Sequence, residues 1–118
     1  MSTLSPGKEA AAWVAGSDAP EKKEVRIGFM PLTDCASVVM AAVNKFDEKY
    51  GIKIIPSRQA SWANVRDKVS IGILDGAHML APMPLASSLG LGPVEKPTVT
   101  ALCLDLNGNA ITVSRSLF

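Results

Sequence analysis

The chain has 118 residues, a formal net charge of +1 and 47% hydrophobic residues, which is the size and composition of one globular domain. The near-neutral charge argues against binding to a polyanion such as a nucleic acid. No run of about 18 apolar residues is present, so we expect no membrane span. The start of the chain lacks the apolar core of an export signal, which predicts a cytoplasmic protein, or a periplasmic one if a signal has been removed.

Residues able to carry chemistry are sparse. Cys35 and Cys103 lie in apolar surroundings without CxxC spacing, so we expect two buried, reduced thiols rather than a disulfide or a zinc site. A nucleophilic pair of Cys35 with His78 lacks a third group to orient it. One histidine with scattered acids is too few for a metal site. The sequence therefore predicts no catalysis, no metal and no cofactor.

The chain divides into two parts by composition. Residues 1–24 are predicted to be an N-terminal arm or linker, in which "GKEAAAWVA" predicts a short helix anchored by Trp13. Residues 25–118 are predicted to form a single α/β lobe.

Short β-rich runs alternate with helical patterns after the arm. Strands are predicted over "VRIGFM" (25–30), "IKIIPSR" (52–58) and "GAHMLA" (76–81). Helices are predicted from a Thr33 or Asp34 cap to about Tyr50, over "WANVRDKVSI" behind a Ser61 cap, and over "MPLASSLG" from Pro84 at its start to Gly90.

The last part of the chain contains Asn107 and Gly108 between two β-like runs, the sequence signal of a hairpin. Strands and helices thus follow one another as β-α-β-α-β-α-β-β. This order predicts an α/β fold with a mostly parallel sheet, flanked by helices and followed by a C-terminal β-hairpin.

Unusual residues follow each of the three predicted parallel strands, in "PLTD", "RQASW" and "HMLAPMP". In an open parallel sheet, loops that follow the strands meet at one edge, and ligands bind there. Helix N-termini at this edge offer free N–H groups and a partial positive charge. We therefore expect the ligand to be a small oxyanion.

Three segments, "GFMPLTDCASVVMA", "QASWANVRDKV" and "DGAHMLAPMPLA", resemble in this order the nitrate- and bicarbonate-binding proteins of ABC transporters, and most closely their cytoplasmic nitrate-sensor branch. The resemblance runs from about Val25 to Phe118 and includes "LNGNAITVS". It implies a type II periplasmic-binding-protein fold, of which this chain holds the N-terminal part of the first lobe. It also implies non-catalytic binding or sensing of an anion, nitrate or nitrite before bicarbonate, linked to nitrate assimilation.

Four side chains are candidates for the ligand site. The resemblance implies that Trp62 donates its indole N–H to the anion; the alternative is an anchor at a helix start. Gln59 is either an amide donor or a solvated loop residue, and His78 either a donor or a structural histidine. Thr33 either reaches the ligand with its hydroxyl or caps the first helix, while Asp75 is expected to buttress the turn before the third strand.

An incomplete lobe leaves a sheet edge and an apolar helix face without cover, so we expect self-association into a homo-oligomer. The resemblance to the nitrate sensor implies a regulatory protein partner. The alternative function is a truncated lobe that no longer binds a ligand and serves as a protein-interaction module.

Overall fold

The computed structural model describes residues 20–106 and 113–117. Within these ranges the strands are β1 (Glu24–Phe29), β2 (Lys53–Arg58) and β3 (Gly76–Ala77). The α-helices are α1 (Ala36–Val43), α2 (Trp62–Ser70) and α3 (Pro82–Ser88). Short 3₁₀ turns occupy Thr33–Cys35, Glu48–Tyr50 and Arg115–Leu117.

The three strands form one parallel sheet in the order β2-β1-β3. Phe29 pairs with Arg58 on one side of β1, and Gly28 pairs with Ala77 on the other. The strands therefore end at nearly the same level, as the sequence predicts for β-α-β-α-β order. The parallel α/β architecture expected from the sequence is confirmed.

The core of the described residues lies where β1, α2 and the segment before β3 meet. Val65 is fully buried, and Leu74 and Cys35 are nearly so. Gly28 in β1 is buried directly against Leu74: a Cβ added at Gly28 would lie 2.5 Å from Leu74 Cδ1. A glycine is needed here because the strand backbone and the leucine side chain approach so closely.

Each of the three α-helices ends in a Schellman motif, a backbone turn closed by a residue in the left-handed conformation. In α2 the amides of Gly72 and Ile73 donate to the carbonyls of Val69 and Lys68, and Gly72 has a φ of 77°. Gly90 has the same role after α3, with a φ of 69°. The stop predicted at Gly90 is confirmed, and of the two glycines that the sequence offers as a stop for α2, Gly72 and Gly76, the structure uses Gly72.

The first helix is shorter than predicted. It ends at Val43 because Lys45 takes the left-handed conformation, with a φ of 57°. Beyond it, Asp47 is buried and accepts hydrogen bonds from the amides of Glu48 and Ile54, which ties the chain to the start of β2. The prediction of a continuous helix to Tyr50, closed by Gly51, is therefore wrong; Gly51, with a φ of 70°, instead ends the 3₁₀ turn Glu48–Tyr50.

The predicted caps of the first helix are also wrong. Leu32 precedes the 3₁₀ turn without a side-chain hydrogen bond, and Cys35 precedes α1 in the same way. Asp34 instead contacts His78. By contrast, Ser61 Oγ accepts the amide of Asn64 at 3.2 Å, which confirms the cap predicted for α2.

Four further predictions differ from the structure. The third strand covers only Gly76–Ala77 rather than 76–81, and α3 begins at Pro82 instead of at Pro84. Residues 98–106 contain no strand, so the first arm of the predicted hairpin is wrong; its turn and residues 107–112 lie outside the described residues, as do residues 1–19 of the arm. Cys103 is exposed rather than buried.

Within residues 20–106 and 113–117, no helix is long and apolar enough to cross a membrane.

Candidate functional site

The loops that follow the three strands lie side by side at the carboxyl edge of the sheet. The amide of Gln59 donates to the carbonyl of Phe29 at 2.9 Å, and the amide of His78 donates to the carbonyl of Gly28 at 2.9 Å. These bonds extend the sheet pairing past the ends of the strands. We call residues 30–34, 58–62 and 78–80 the carboxyl-edge rim.

Trp62 lies at the rim as the first residue of α2. Its backbone is fixed by the Ser61 cap on one side and by the buried Val65 one turn later. The side chain is half-buried, and its indole makes no hydrogen bond to any other residue that the structure describes. An indole N–H is a donor only, so it suits an anionic acceptor.

His78 is buried at the rim, with 4% of its surface exposed. Its Nε2 lies 2.9 Å from Asp34 Oδ2, and its ring packs edge-on against Trp62, with centroids 5.2 Å apart and planes at 70°. The structure thus brings His78 and Trp62 together. It also adds Asp34, whose part in this cluster the sequence does not indicate.

Two atoms of this pair are buried without a partner among the described residues, His78 Nδ1 and Asp34 Oδ1. Such an atom costs about 1–3 kcal/mol when no group replaces its lost water. An ionised carboxylate only accepts, so the contact with Asp34 matches a neutral His78 whose proton lies on Nε2 and whose Nδ1 is an acceptor. In that tautomer His78 has no ring N–H left to offer to an anion.

Gln59 is also buried, and its amide is fully engaged within the chain. Its Nε2 donates to the carbonyl and the hydroxyl of Ser57 at 3.1 and 2.8 Å, and its Oε1 accepts from Lys68 Nζ at 2.7 Å. This network excludes the alternative of a solvated loop glutamine. It holds the loop after β2 in place and leaves the amide N–H groups with partners of their own.

Thr33 is exposed and lines an open depression with Asp34, Ser37 and Asp105, among others. Two carboxylates in this depression disfavour an anion there by charge repulsion. Thr33 is therefore at the rim, but on the side of the rim that suits an anion less well.

A second open depression also lies at the rim. Arg58 lines it together with Met30, Pro31, Gln59 and Ala60. No ion pair to Arg58 is present within the described part of the chain. Sequence reasoning missed Arg58, because nothing in the sequence distinguishes it from a solvated arginine at the end of a strand.

The N-terminus of α2 adds backbone donors to the carboxyl-edge rim. The amides of Trp62 and Ala63, in its first turn, have no intrahelical partners, because the first N–H groups of any helix lack them. They carry the partial positive charge of the helix. Trp62, Arg58 and these amides thus give the rim both hydrogen-bond donors and positive charge.

Asp75 lies before β3 and buttresses its turn, as predicted. It accepts hydrogen bonds from Lys22 Nζ and from the amide of Arg26. The hydrogen bond from Lys22, and after it the one from Arg26, lowers the pKa of Asp75 below its usual 3.8. Its role is to fix β3 against β1 rather than to hold a ligand.

Comparison with known proteins identifies several relatives. The chain is 42% identical over 102 residues to the nitrate import ATP-binding protein NrtC of Synechocystis sp., covering 85% of this chain and 15% of that protein. It is 38% identical over 101 residues to the nitrate/nitrite binding protein NrtA of Synechocystis sp. (81% and 23%). It is 33% identical over 109 residues to the bicarbonate-binding protein CmpA of Synechococcus elongatus (87% and 24%). The chain thus spans between 15% and 24% of the length of these relatives.

A solved structure supports the same relationship. The crystal structure of the periplasmic nitrate-binding protein NrtA from Synechocystis matches this chain with a TM-score of 0.59 and 39% identity, over 61% of this chain and 20% of that one. The resemblance of the three sequence segments to nitrate- and bicarbonate-binding proteins is confirmed, as is the expectation of a partial α/β lobe. A model of the NMT1-like family matches residues 18–117, and the chain therefore belongs to the NMT1-like family.

Proposed function

We propose that this chain binds a small oxyanion at the carboxyl-edge rim, nitrate or nitrite in preference to bicarbonate, and that it does so without catalysis. The observation that supports this most is that Arg58 ends β2 and Trp62 begins α2, so that both lie on the carboxyl-edge rim of a parallel sheet. Relatives described as nitrate/nitrite and bicarbonate binding proteins support the same ligand class.

The donor set fits a planar, weakly hydrated anion. A guanidinium such as that of Arg58 presents two parallel N–H groups to a planar oxyanion. The indole of Trp62 donates one hydrogen bond from a half-buried position without adding charge. Together they disfavour a strongly hydrated anion such as phosphate, because an indole replaces little of its hydration.

Affinity is expected to be weak in this chain alone. The depression beside Arg58 is open, so an anion bound there keeps water on one side. Solvent screens the charges around it, and a cleft that closes over its ligand from both sides does better.

The test is thermal unfolding and calorimetry in sodium nitrate, nitrite or bicarbonate, against sodium chloride at the same ionic strength. A ligand that binds only the folded state stabilises it by about 2.7 kcal/mol at one hundred times its Kd. We expect stabilisation by nitrate and nitrite, and no gain over chloride if the proposal is wrong.

Trp62→Phe tests whether the Trp62 indole binds the anion, and Trp13→Phe is the matched control. Trp62→Phe keeps the aromatic ring but removes the donor, so the stabilisation by nitrate should disappear. Trp13→Phe should retain it. Normal nitrate binding by Trp62→Phe would show that Trp62 is not a ligand-binding residue.

We further propose a cytoplasmic sensing role, linked to nitrate assimilation through a regulatory protein. This part rests on the sequence resemblance, and the solved relative is described as periplasmic. Fractionation of cells that express the chain from its own gene decides the compartment. Recovery from the periplasm would favour delivery to a transporter over sensing.

A second candidate is an interaction module without a ligand, which the exposed apolar side chains favour. Large exposed hydrophobic residues cluster on two parts of the surface: Met40, Val43, Phe46 and Tyr50 in and after α1, and Leu85, Leu89 and Leu91 in and after α3. Sedimentation velocity tests this candidate. It predicts concentration-dependent self-association together with no response to any of the three anions.

A further inference from the structure

A chain of contacts that passes through the buried His78 connects the loop after β1 to the start of α2. Asp34 Oδ2 contacts His78 Nε2 at 2.9 Å, and the His78 ring packs edge-on against Trp62 at 5.2 Å. The donor set of the proposed function uses Trp62 but neither Asp34 nor His78. Both still keep the polar atoms of their side chains at the rim.

We propose that Asp34 and His78 are positioning residues for Trp62. Asp34 fixes the tautomer and orientation of His78, and the His78 ring then holds the Trp62 indole in one rotamer at the rim. The benefit of this positioning to anion binding rests on the proposed function. The positioning itself is present without any ligand and is measured separately.

Trp62 needs such a support because its backbone and its side chain are fixed by different means. The Ser61 cap and the buried Val65 fix the backbone at the start of α2. They leave a half-buried indole free to rotate about its side-chain bonds. A donor that must be ordered when the ligand binds loses affinity, and a packed neighbouring ring prevents this loss.

His78 is a suitable neighbour because it is itself held at two points. Its amide donates to the carbonyl of Gly28 at 2.9 Å, and its ring is tied to Asp34. Asp34 in turn precedes the buried Cys35 in a 3₁₀ turn, which fixes its backbone. His78 is therefore held by β1 through its backbone and by the 3₁₀ turn through its ring, and the ring in turn supports the Trp62 side chain.

A purely structural tie between the loop and β3 makes a different prediction. In that case, loss of Asp34 would lower the stability of the fold without changing the surroundings of Trp62. The two roles are therefore separated by a signal from the Trp62 ring, measured while the protein is folded.

The first experiment uses the unaltered chain, so folding of a variant is not in question. Long-range ¹H–¹⁵N NMR at alkaline pH reports which ring nitrogen of a neutral His78 carries the proton. Because the Asp34 carboxylate only accepts, the expected tautomer is Nε2–H. A predominant Nδ1–H tautomer would overturn the proposal.

The second experiment makes Trp62 the sole tryptophan through Trp13→Phe and follows its near-ultraviolet circular dichroism without ligand. Asp34→Ala should lose most of the Trp62 signal while the far-ultraviolet spectrum is retained. Asp34→Asn keeps an acceptor for Nε2–H and should preserve it. Ser37→Ala, an exposed neighbour in α1, is the control and should also preserve it. A full Trp62 signal in folded Asp34→Ala contradicts the positioning role.

Nitrate binding is measured only after these Trp62 signals are known. The nitrate Kd of Asp34→Ala should rise about two- to tenfold, the loss expected when one side chain must be ordered on binding. An unchanged Kd in a variant whose Trp62 signal is lost would overturn the link between positioning and binding. If the unaltered chain binds no nitrate, the proposed function fails, while the Trp62 signals still decide the positioning.

Discussion

At the scale of single residues, Asp75 is the clearest case of a side chain whose ionisation supports the fold. It joins β1 to β3 through Lys22 Nζ and the amide of Arg26. The lowered pKa means that the folded state favours the carboxylate. Its contribution to stability is therefore complete above the unfolded pKa of about 3.9 and is lost as the pH falls through the lower folded value.

Urea unfolding of Asp75→Asn, from neutral pH to about pH 3, measures this contribution. We expect Asp75→Asn to lower the stability at neutral pH and to flatten its decline in acid. Glu24→Gln, which alters an exposed carboxylate of β1 without an ion pair in the described residues, should keep the original slope. Equal acid slopes for the original chain and Asp75→Asn would refute the role given to Asp75.

Gly28 provides a second test at this scale, because a Cβ there would overlap Leu74 Cδ1. We expect Gly28→Ala to lower the free energy of unfolding by about 1–3 kcal/mol, the usual cost of overpacking a core. Gly92→Ala is the matched control, since its Cβ would meet only Arg66, at 3.7 Å. Chemical unfolding of both variants is the measurement. An unchanged free energy of unfolding in Gly28→Ala would mean that Leu74 packs less closely against Gly28 than described.

The roles of some residues can be predicted from the sequence, and those of others cannot. Ser61 is predictable because its role is local, a hydroxyl three residues before the amide that it caps. Asp34 is not, because its partner His78 is 44 positions away and a cap was the nearer alternative. The sequence does not predict a role for Arg58, because an arginine at the end of a strand cannot be distinguished from a solvated one until the depression beside it is known.

At the scale of elements, α1 shows how a helix stop can be missed. Its apolar spacing continues through Phe46, so the sequence predicts a longer helix. The stop is instead a Schellman motif, in which the amides of Lys45 and Phe46 donate to the carbonyls of Ala42 and Ala41. Lysine rather than glycine occupies the left-handed position, so the usual signal is absent.

This element carries its own prediction, that Lys45→Gly raises the stability. A non-glycine residue in the left-handed conformation costs roughly 1–2 kcal/mol, and the added chain entropy of glycine offsets part of this gain. The exposed ion pair of Lys45 with Glu48, at 3.8 Å, contributes little.

Thermal unfolding compares Lys45→Gly with Lys49→Gly, which places glycine in the following 3₁₀ turn at a residue without a positive φ. We expect Lys45→Gly to unfold at a higher temperature than the original chain and Lys49→Gly at a lower one. A loss of stability in Lys45→Gly would mean that the left-handed turn is not a source of strain.

Strands and helices also differ in predictability when their partners are distant. β1 and β2 are confirmed within one residue because each is a β-rich run with a long parallel neighbour. β3 is reduced to two residues, and residues 98–106 form no strand. A strand requires a paired backbone, and local propensity does not supply the partner.

At the scale of the whole molecule, the sheet order explains why the candidate site forms where it does. β1 is central, and the chain passes from it to β2 on one side and then to β3 on the other. The loops after all three strands therefore reach one edge. The alternation of strands and helices in the sequence predicts this convergence, but not which side chains face solvent there.

The exposed apolar residues are explained by how small a part of its relatives this chain spans. Within the described residues, no side chain of α1 is fully buried, and α3 buries only Ser87. The chain spans less than a quarter of the relatives NrtC, NrtA and CmpA. The sequence predicts uncovered apolar surface for a partial lobe, and the structure shows it on both helices.

The central claim is that an oxyanion binds at the carboxyl-edge rim, and an NMR titration of the ¹⁵N-labelled chain with nitrate tests it most directly. The indole N–H of Trp62, the amides of Trp62 and Ala63 and the side chain of Arg58 should shift together and saturate. The turn at Asp75, before β3, should not move. Saturable shifts confined to other parts of the chain, or no saturable shift with nitrate, nitrite or bicarbonate, would contradict the claim.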